Sequence, residues 1–307
     1  MKILVYGAGI QGSFLAHSLI NESNEVTLLA RGKRKKELLT NGLILNHSIQ
    51  RKQTKNTVRV IETLQPDDQY DLIFVTMKYS DFPAIIEPLA KNSSSTILFI
   101  GNQLEAAALE KELQEKSSQP KKIYFGFQMT GGTNTEKGIS VLRFGKGKMK
   151  VGSLHTDFEI AQILDDVFRG TNYAWSYDPK IDDWLKSHAI LVMIQNSFEY
   201  VYGPSPAKIR KSGDFSAVSI AMRDAYNLLE LSGAEVLPKG QRNFFSRPRL
   251  TKLFFSIYYR LPISSLVQGS FREIYHLINT FERYLVSENS QLDALLQSAK
   301  KKYEHSS

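Results

Sequence analysis

The sequence predicts an α/β protein, with a doubly wound parallel sheet first and an all-helical domain after it. Three observations lead there. Five short runs, Lys2–Tyr6, Glu25–Leu29, Leu72–Thr76, Thr96–Ile100 and Lys122–Phe127, are rich in Ile, Val, Leu and Phe, as strands buried on both faces are. Segments of helical period lie between them, such as Ser13–Asn21 and Phe82–Leu89, and strand–helix alternation implies parallel strands joined by crossover helices. Beyond Asp178-Pro179-Lys180 the strand signals stop, and Ile181–Val201, Phe215–Ser232, Phe271–Val286 and Asp293–Tyr303 all suit helices.

Two stretches interrupt the alternation. Gly42–Ile61 alternates apolar and polar residues around Gln50-Arg51-Lys52-Gln53, the pattern of a hairpin insertion. Gly138–Leu154 reads as a second hairpin, Ile139–Phe144 and Met149–Gly152 around Gly-Lys-Gly. Pro179 marks a hinge, because proline fixes the chain locally and stops a helix. The expected domains are therefore 1–177 and 178–307.

The first strand runs directly into Gly7-Ala8-Gly9-Ile10-Gln11-Gly12, a G-x-G-x-x-G opening an apolar helix. Between strand and helix this is the dinucleotide fingerprint of a Rossmann-type sheet. Gly7 permits the tight turn, Gly9 lets a pyrophosphate approach the backbone, and Gly12 lets helix and strand pack closely. Free amides and the helix dipole then face the phosphates. The second strand ends in Ala30-Arg31-Gly32-Lys33-Arg34-Lys35-Lys36. An NAD site carries an acid here for the ribose 2′-hydroxyl. Arg31 stands in its place, and a guanidinium can grip a 2′-phosphate bidentately. The expected cofactor is NADPH/NADP+; a solvated basic helix start is the other reading of the run.

Ligand chemistry in this fold sits at the C-terminal ends of the strands. Lys78 and Asn102 follow two of them and are expected near the nicotinamide-ribose end. The chain has 307 residues, room for two domains, and its 42% apolar and 23% charged residues are ordinary for a soluble protein. It has no cysteine, which excludes disulfides and thiolate metal sites. Its six histidines are scattered without ligand spacing, so no metal is expected. No run of 18 apolar residues occurs and the first residues read straight into a strand, so a cytoplasmic enzyme with no membrane partner is expected. The net charge of +8 lies in short clusters at Arg31–Lys36, Lys146–Lys150 and Arg242–Arg260. That suits a phosphorylated cofactor and an acidic substrate; no nucleic-acid partner is expected.

The chain resembles the ketopantoate reductase (2-dehydropantoate 2-reductase) family along most of its length. Lys2–Gly12, Leu29-Ala30-Arg31, Thr76-x-Lys78, Asn102, Gly152 and Trp184-Leu185-Lys186 carry the likeness. The resemblance implies a two-domain, 6-phosphogluconate-dehydrogenase-like architecture with the chemistry in the cleft between domains. It implies NADPH-dependent reduction of a branched 2-oxo acid, by default 2-dehydropantoate to pantoate in pantothenate biosynthesis, with Lys186 as general acid. Elementary chemistry agrees, since hydride arriving at a ketone leaves charge on oxygen, and an ammonium supplies both proton and counter-charge. Family members are commonly monomers or homodimers.

The likeness then frays. The family's two substrate-facing asparagines, one and two turns after the lysine, are Ile190 and Ile194 here. That change predicts a less polar substrate or weaker selectivity. Ser264-Ser265 and Glu273 correspond to the family's serine pair and glutamate, at a spacing about one helical turn shorter. Ser265 would bind the substrate carboxylate and Glu273 its polar end. Asn196 and His188 fall off the Lys186 face, and His188 reads as a partly buried helix histidine. Two alternatives stay open: a related reductase of another, less polar carbonyl, and a non-catalytic NADPH-binding protein.

Overall fold

The computed structural model describes residues 1–135, 138–203, 205–212, 214–261, 264, 270–284 and 290–306. It divides into two compact units, Met1–Gly101 with Glu105–Ile181, and Asn102–Leu104 with Asp182–Ser307.

The first unit is built on strands β1 (Lys2–Tyr6), β2 (Glu25–Leu29), β5 (Arg59–Ile61), β6 (Leu72–Val75), β7 (Thr96–Ile100), β8 (Lys122–Gln128), β11 (Gly147–Gly152) and β12 (Tyr173–Tyr177). They form one sheet in the order β12-β11-β8-β7-β6-β1-β2-β5. Every pairing is parallel except β11 with β8. The central strands are buried along nearly their whole length, which is why they read as continuous apolar runs. The crossover helices are α1 (Ile10–Leu19), α2 (Gly32–Asn41), α3 (Pro83–Lys91), α4 (Ala106–Lys116) and α5 (Ala161–Phe168). Chain order turns back at β1, with β2 on one side and β6 on the other. Such a switch point opens a crevice at the strands' C-terminal ends.

A second sheet, in the order β4-β3-β10-β9, is made of β3 (Leu43–His47), β4 (Lys52–Asn56), β9 (Gly131–Thr135) and β10 (Gly138–Leu142). The expected hairpin in 42–61 is β3 with β4, in antiparallel register from Leu43↔Asn56 to His47↔Lys52. The second expected hairpin does not form. Its two arms lie in different sheets: β10 pairs with β9 and β3, whereas β11 pairs with β8 and β12. The misreading came from β9, Gly-Gly-Thr-Asn-Thr, whose composition carries no apolar alternation although it is β10's true partner. Leu43, Leu45, Ile139 and Val141 of this sheet join Phe14, Leu15 and Leu19 of α1 in one buried core.

The second unit is helical: α6 (Ile181–Tyr202), α7 (Pro206–Ser212), α8 (Phe215–Leu231), α9 (Gly240–Phe245), α10 (Pro248–Tyr258), α11 (Phe271–Tyr284) and α12 (Gln291–Glu304). No strand occurs in it among the described residues. The 22-residue α6 spans about 33 Å. Ala189, Ile190, Met193, Ile194 and Phe198 bury its central turns completely or nearly so, as a helix packed on several sides requires. Side-chain caps start two helices: Asp214 accepts from the Ser216 and Ala217 amides, and Ser290 from the Asp293 amide.

Candidate active site

In the first unit the glycine turn links β1 to α1. Gly7 takes φ +121°, and a Cβ there would sit 2.9 Å from the Met77 sulfur. At Gly12 a Cβ would overlap the Gly7 carbonyl oxygen and the Thr76 hydroxyl. Thr76, at the end of β6, donates its hydroxyl to the Gly7 carbonyl at 3.0 Å, so the glycine turn and β6 are held together. A Cβ at Gly9 would meet nothing within 4 Å. Gly9 is the N-cap of α1, no side chain caps the helix, and its first turn holds no acid. This open, uncapped, positively poled helix start fits a dinucleotide pyrophosphate.

Ala8 is buried, while Ile10 and Gln11 are half-buried. Gln11 is already engaged by the protein, donating to the Thr130 carbonyl at 2.5 Å and accepting from the Gln128 amide. It fixes the start of α1 against the end of β8.

Arg31 ends β2's turn as the N-cap of α2 and is exposed. It lies near the Tyr6 hydroxyl, whose pKa burial raises and the Arg31 charge partly lowers. Arg31 makes no ion pair among the described residues. Its neighbours differ: Lys35 pairs with Glu62 at 2.7 Å, holding that carboxyl below its ordinary pKa, and Lys33 meets Glu37 at 3.8 Å. Arg34 was missed as an individual residue in the sequence. Its guanidinium reaches back to the glycine turn, donating to the Ala8 carbonyl and the Ser13 hydroxyl, both at 3.1 Å. The three-residue step from Arg31 was the available signal, since it places both arginines on one side of α2. Lys78 caps the short 3-10 turn Tyr79–Asp81 and is exposed.

In the second unit the predicted catalytic residues fall into two pairs. Lys186, in the second turn of α6, donates to Asp182 Oδ2 at 2.6 Å, with its side chain 26% exposed. Asp182 was also missed, although acid and lysine four residues apart form the standard helical ion pair. Asp183 beside it has a raised pKa, chiefly because burial disfavours its charge. Asn102 donates from Nδ2 to Glu273 Oε1 at 3.0 Å, and its Oδ1 is buried without a partner. Glu273 stands in the first turn of α11, where the helix dipole favours its charge.

Other expected residues lie elsewhere. Ile190 and Ile194 follow Lys186 on one side of α6 but are fully buried; they belong to the core and offer a ligand no surface. Ser265 lies outside the described residues. Ser264 is buried and donates to the Leu261 carbonyl at 2.9 Å. His188 stacks flat on Trp184 at 5.1 Å, and burial pushes its pKa down to about 4, so it is neutral at pH 7. Gly152, at the end of β11, is obligatory for space: a Cβ would overlap Ile181 and the Asp178 carbonyl. Among the described residues no three His, Asp or Glu converge as metal ligands, and no helix is long and apolar enough to cross a membrane.

Known proteins place this architecture. The profile of the family described as ketopantoate reductase PanE/ApbA matches residues 3–156. No curated protein sequence matches the chain. A D-mandelate dehydrogenase solved with NADH and anilino(oxo)acetate shares the fold at a TM-score of 0.72 and 19% identity, covering 99% of both chains. A dimeric ketopantoate reductase from Staphylococcus aureus superposes at 0.70 and 12% identity over 100% of both. A 2-dehydropantoate 2-reductase from Methylococcus capsulatus gives 0.66 and 14%, over 100% of this chain and 98% of that one. With the glycine turn, the switch-point sheet and the helical unit all present, the chain belongs to the ketopantoate reductase family of nicotinamide-dependent oxidoreductases.

Proposed function

We propose that the protein reduces a 2-oxo acid to the 2-hydroxy acid with NADPH, Lys186 serving as the proton donor. The observation that carries the cofactor choice is Arg31. It is an exposed guanidinium at the end of β2 with no ion pair among the described residues, where an NAD site would hold an acid. A bidentate contact to a 2′-phosphate is the chemistry its geometry suits.

When bound, the reduced nicotinamide supplies the hydride. The remaining work belongs to side chains. Lys186 neutralises charge on the substrate oxygen and delivers its Nζ proton there. Asp182 holds the ammonium at the start of α6 until substrate competes for it. Asn102, fixed by Glu273, offers an unsatisfied Oδ1 that accepts a hydrogen bond from a donor such as an ammonium or a substrate hydroxyl. Lys78 adds positive charge at the cofactor's nicotinamide-ribose end.

For the substrate, family membership favours 2-dehydropantoate, giving pantoate. A second reading is a 2-oxo acid with a less polar side chain: Ile190 and Ile194 are sealed in the core, so the two polar substrate contacts that the family resemblance implies are not made from those positions. The structurally similar mandelate dehydrogenase, solved with an aryl-bearing oxoacetate, represents that class. The experiment is NADPH oxidation followed over a panel of 2-oxo acids, from 2-dehydropantoate to aryl and branched alkyl members. Turnover of 2-dehydropantoate far above the rest supports the first reading, and preference for the apolar members supports the second. No turnover with any, despite tight NADPH binding, sinks the enzyme reading.

A further inference from the structure

The stretch between Glu235 and Glu273 holds seven Lys and Arg and no Asp or Glu, against +8 for the whole chain. The proposed chemistry uses none of these residues. Of these, Arg242, Arg247, Arg249, Lys252 and Arg260 lie in or directly beside α9 and α10.

Helix α10 is apolar on two opposite faces. Thr251, Phe255 and Tyr259, four residues apart, are buried against α8, with Phe255 and Tyr259 stacked on Phe215. Leu253 and Ile257 repeat the same spacing two positions on, which turns them to the opposite side of the helix, and Leu261 follows in the turn beyond the helix end. That side faces solvent: Leu253 is 58% exposed, Ile257 and Leu261 48% each, and the adjoining Phe254 40%. Around this ridge stand Arg247, Arg249, Lys252 and Arg260, all exposed and none in an ion pair among the described residues.

We infer that α10 seats the protein peripherally on an anionic lipid surface, with the ridge in the acyl boundary and the four cations on headgroup phosphates. An apolar ridge flanked by Lys and Arg is the pattern of interfacial helices. A second copy fits less well. A two-fold contact through this face would set each cation against its own kind. A folded protein partner needs about 800 Å² on each side, more than four partly exposed side chains supply. Nucleic acid would use the cations, but leucine and isoleucine give bases nothing to stack on. The absence of a membrane span, which led to the sequence-based expectation of no membrane partner, does not bear on peripheral seating.

The test is sedimentation of the full-length protein with vesicles of phosphatidylcholine alone or mixed with phosphatidylglycerol. Binding is expected only to the mixed vesicles, and high salt should release it. Arg249→Glu with Lys252→Glu should weaken partitioning by at least about thirtyfold, and Leu253→Ser with Ile257→Ser should weaken it as well. Both variants should keep the wild-type melting temperature and NADPH affinity, since all four positions are exposed. No sedimentation with anionic vesicles at low salt overturns the proposal. So does equal binding to neutral vesicles, or a dimer in solution that Ile257→Ser dissociates while no vesicle binding is seen. Salt-sensitive retention on RNA without vesicle binding overturns it too.

Discussion

Asn102 Nδ2 donates a 3.0 Å hydrogen bond to Glu273 Oε1, joining residues 171 positions apart in the sequence. The first was expected at the site from its place after a strand, the second from a family resemblance. Their contact holds the asparagine by its amide nitrogen and leaves its buried oxygen without a hydrogen-bond partner. Asn102→Ala should lower kcat/KM roughly a hundredfold, the usual cost of losing one preorganised polar contact to a reacting group. NADPH affinity should change little. Glu273→Gln, which can still accept from Asn102, should lose less than Glu273→Ala. Equal losses in steady-state assays would show that the hydrogen bond is not what Glu273 contributes.

Lys186→Ala should cost on the order of 10²–10⁴ in turnover, the range for removing a general acid. Binding of NADPH, read by fluorescence titration, should stay intact. An unchanged rate would remove Lys186 from the chemistry.

Arg31→Ala should weaken NADPH by about ten- to a hundredfold, since hydrogen bonds to a charged group are worth roughly 1.5–3 kcal/mol. NADH, which lacks the 2′-phosphate, should be nearly unaffected. Parallel titrations with the two coenzymes decide the matter. Equal effects would return Arg31 to the solvated helix start.

Gly12→Ala should be damaging on its own, because its Cβ has no room between the Gly7 carbonyl and Thr76. Either the turn opens and dinucleotide binding is lost, or the protein is destabilised by a few kcal/mol, as overpacking in a tight site does. Gly9→Ala meets no protein atom and should leave the melting temperature unchanged while impairing cofactor binding. Normal NADPH affinity in Gly9→Ala would mean that the phosphates do not pass there.

Stability should fall as pH drops below neutrality. His47 and His188 both have pKa values lowered to about 4, mainly by burial, from 6.5. Each binds a proton more readily in the unfolded chain, so their contribution is complete above pH 6.5 and is lost as pH falls toward 4. Melting curves between pH 7.5 and pH 4.5 should show the decline, and His188→Gln should make the slope shallower. A flat profile would mean that neither ring stays neutral in the fold.

Much of this protein was readable without coordinates, for identifiable reasons. The five central strands were visible because burial on both faces demands unbroken apolar runs. The glycine turn after β1 was visible because glycine is forced by space at Gly7 and Gly12, and such constraints leave fixed residues at fixed spacing. Residues whose role comes from distant partners were harder to see. Strand β9 is polar and exists through pairing with β10. Arg34 looked like one of several basic residues until its side chain was followed to Ala8 and Ser13.

By itself the sequence determined the fold class, the glycine turn between the first strand and helix, and the family, because local backbone geometry and burial patterns are written in adjacent residues. Only the tertiary structure decided which strands of the small sheet pair, that Asn102 meets Glu273, that Ile190 and Ile194 are sealed in the core, and that one side of α10 stays uncovered. Those outcomes depend on which surfaces meet across long stretches of chain, and no local pattern encodes that.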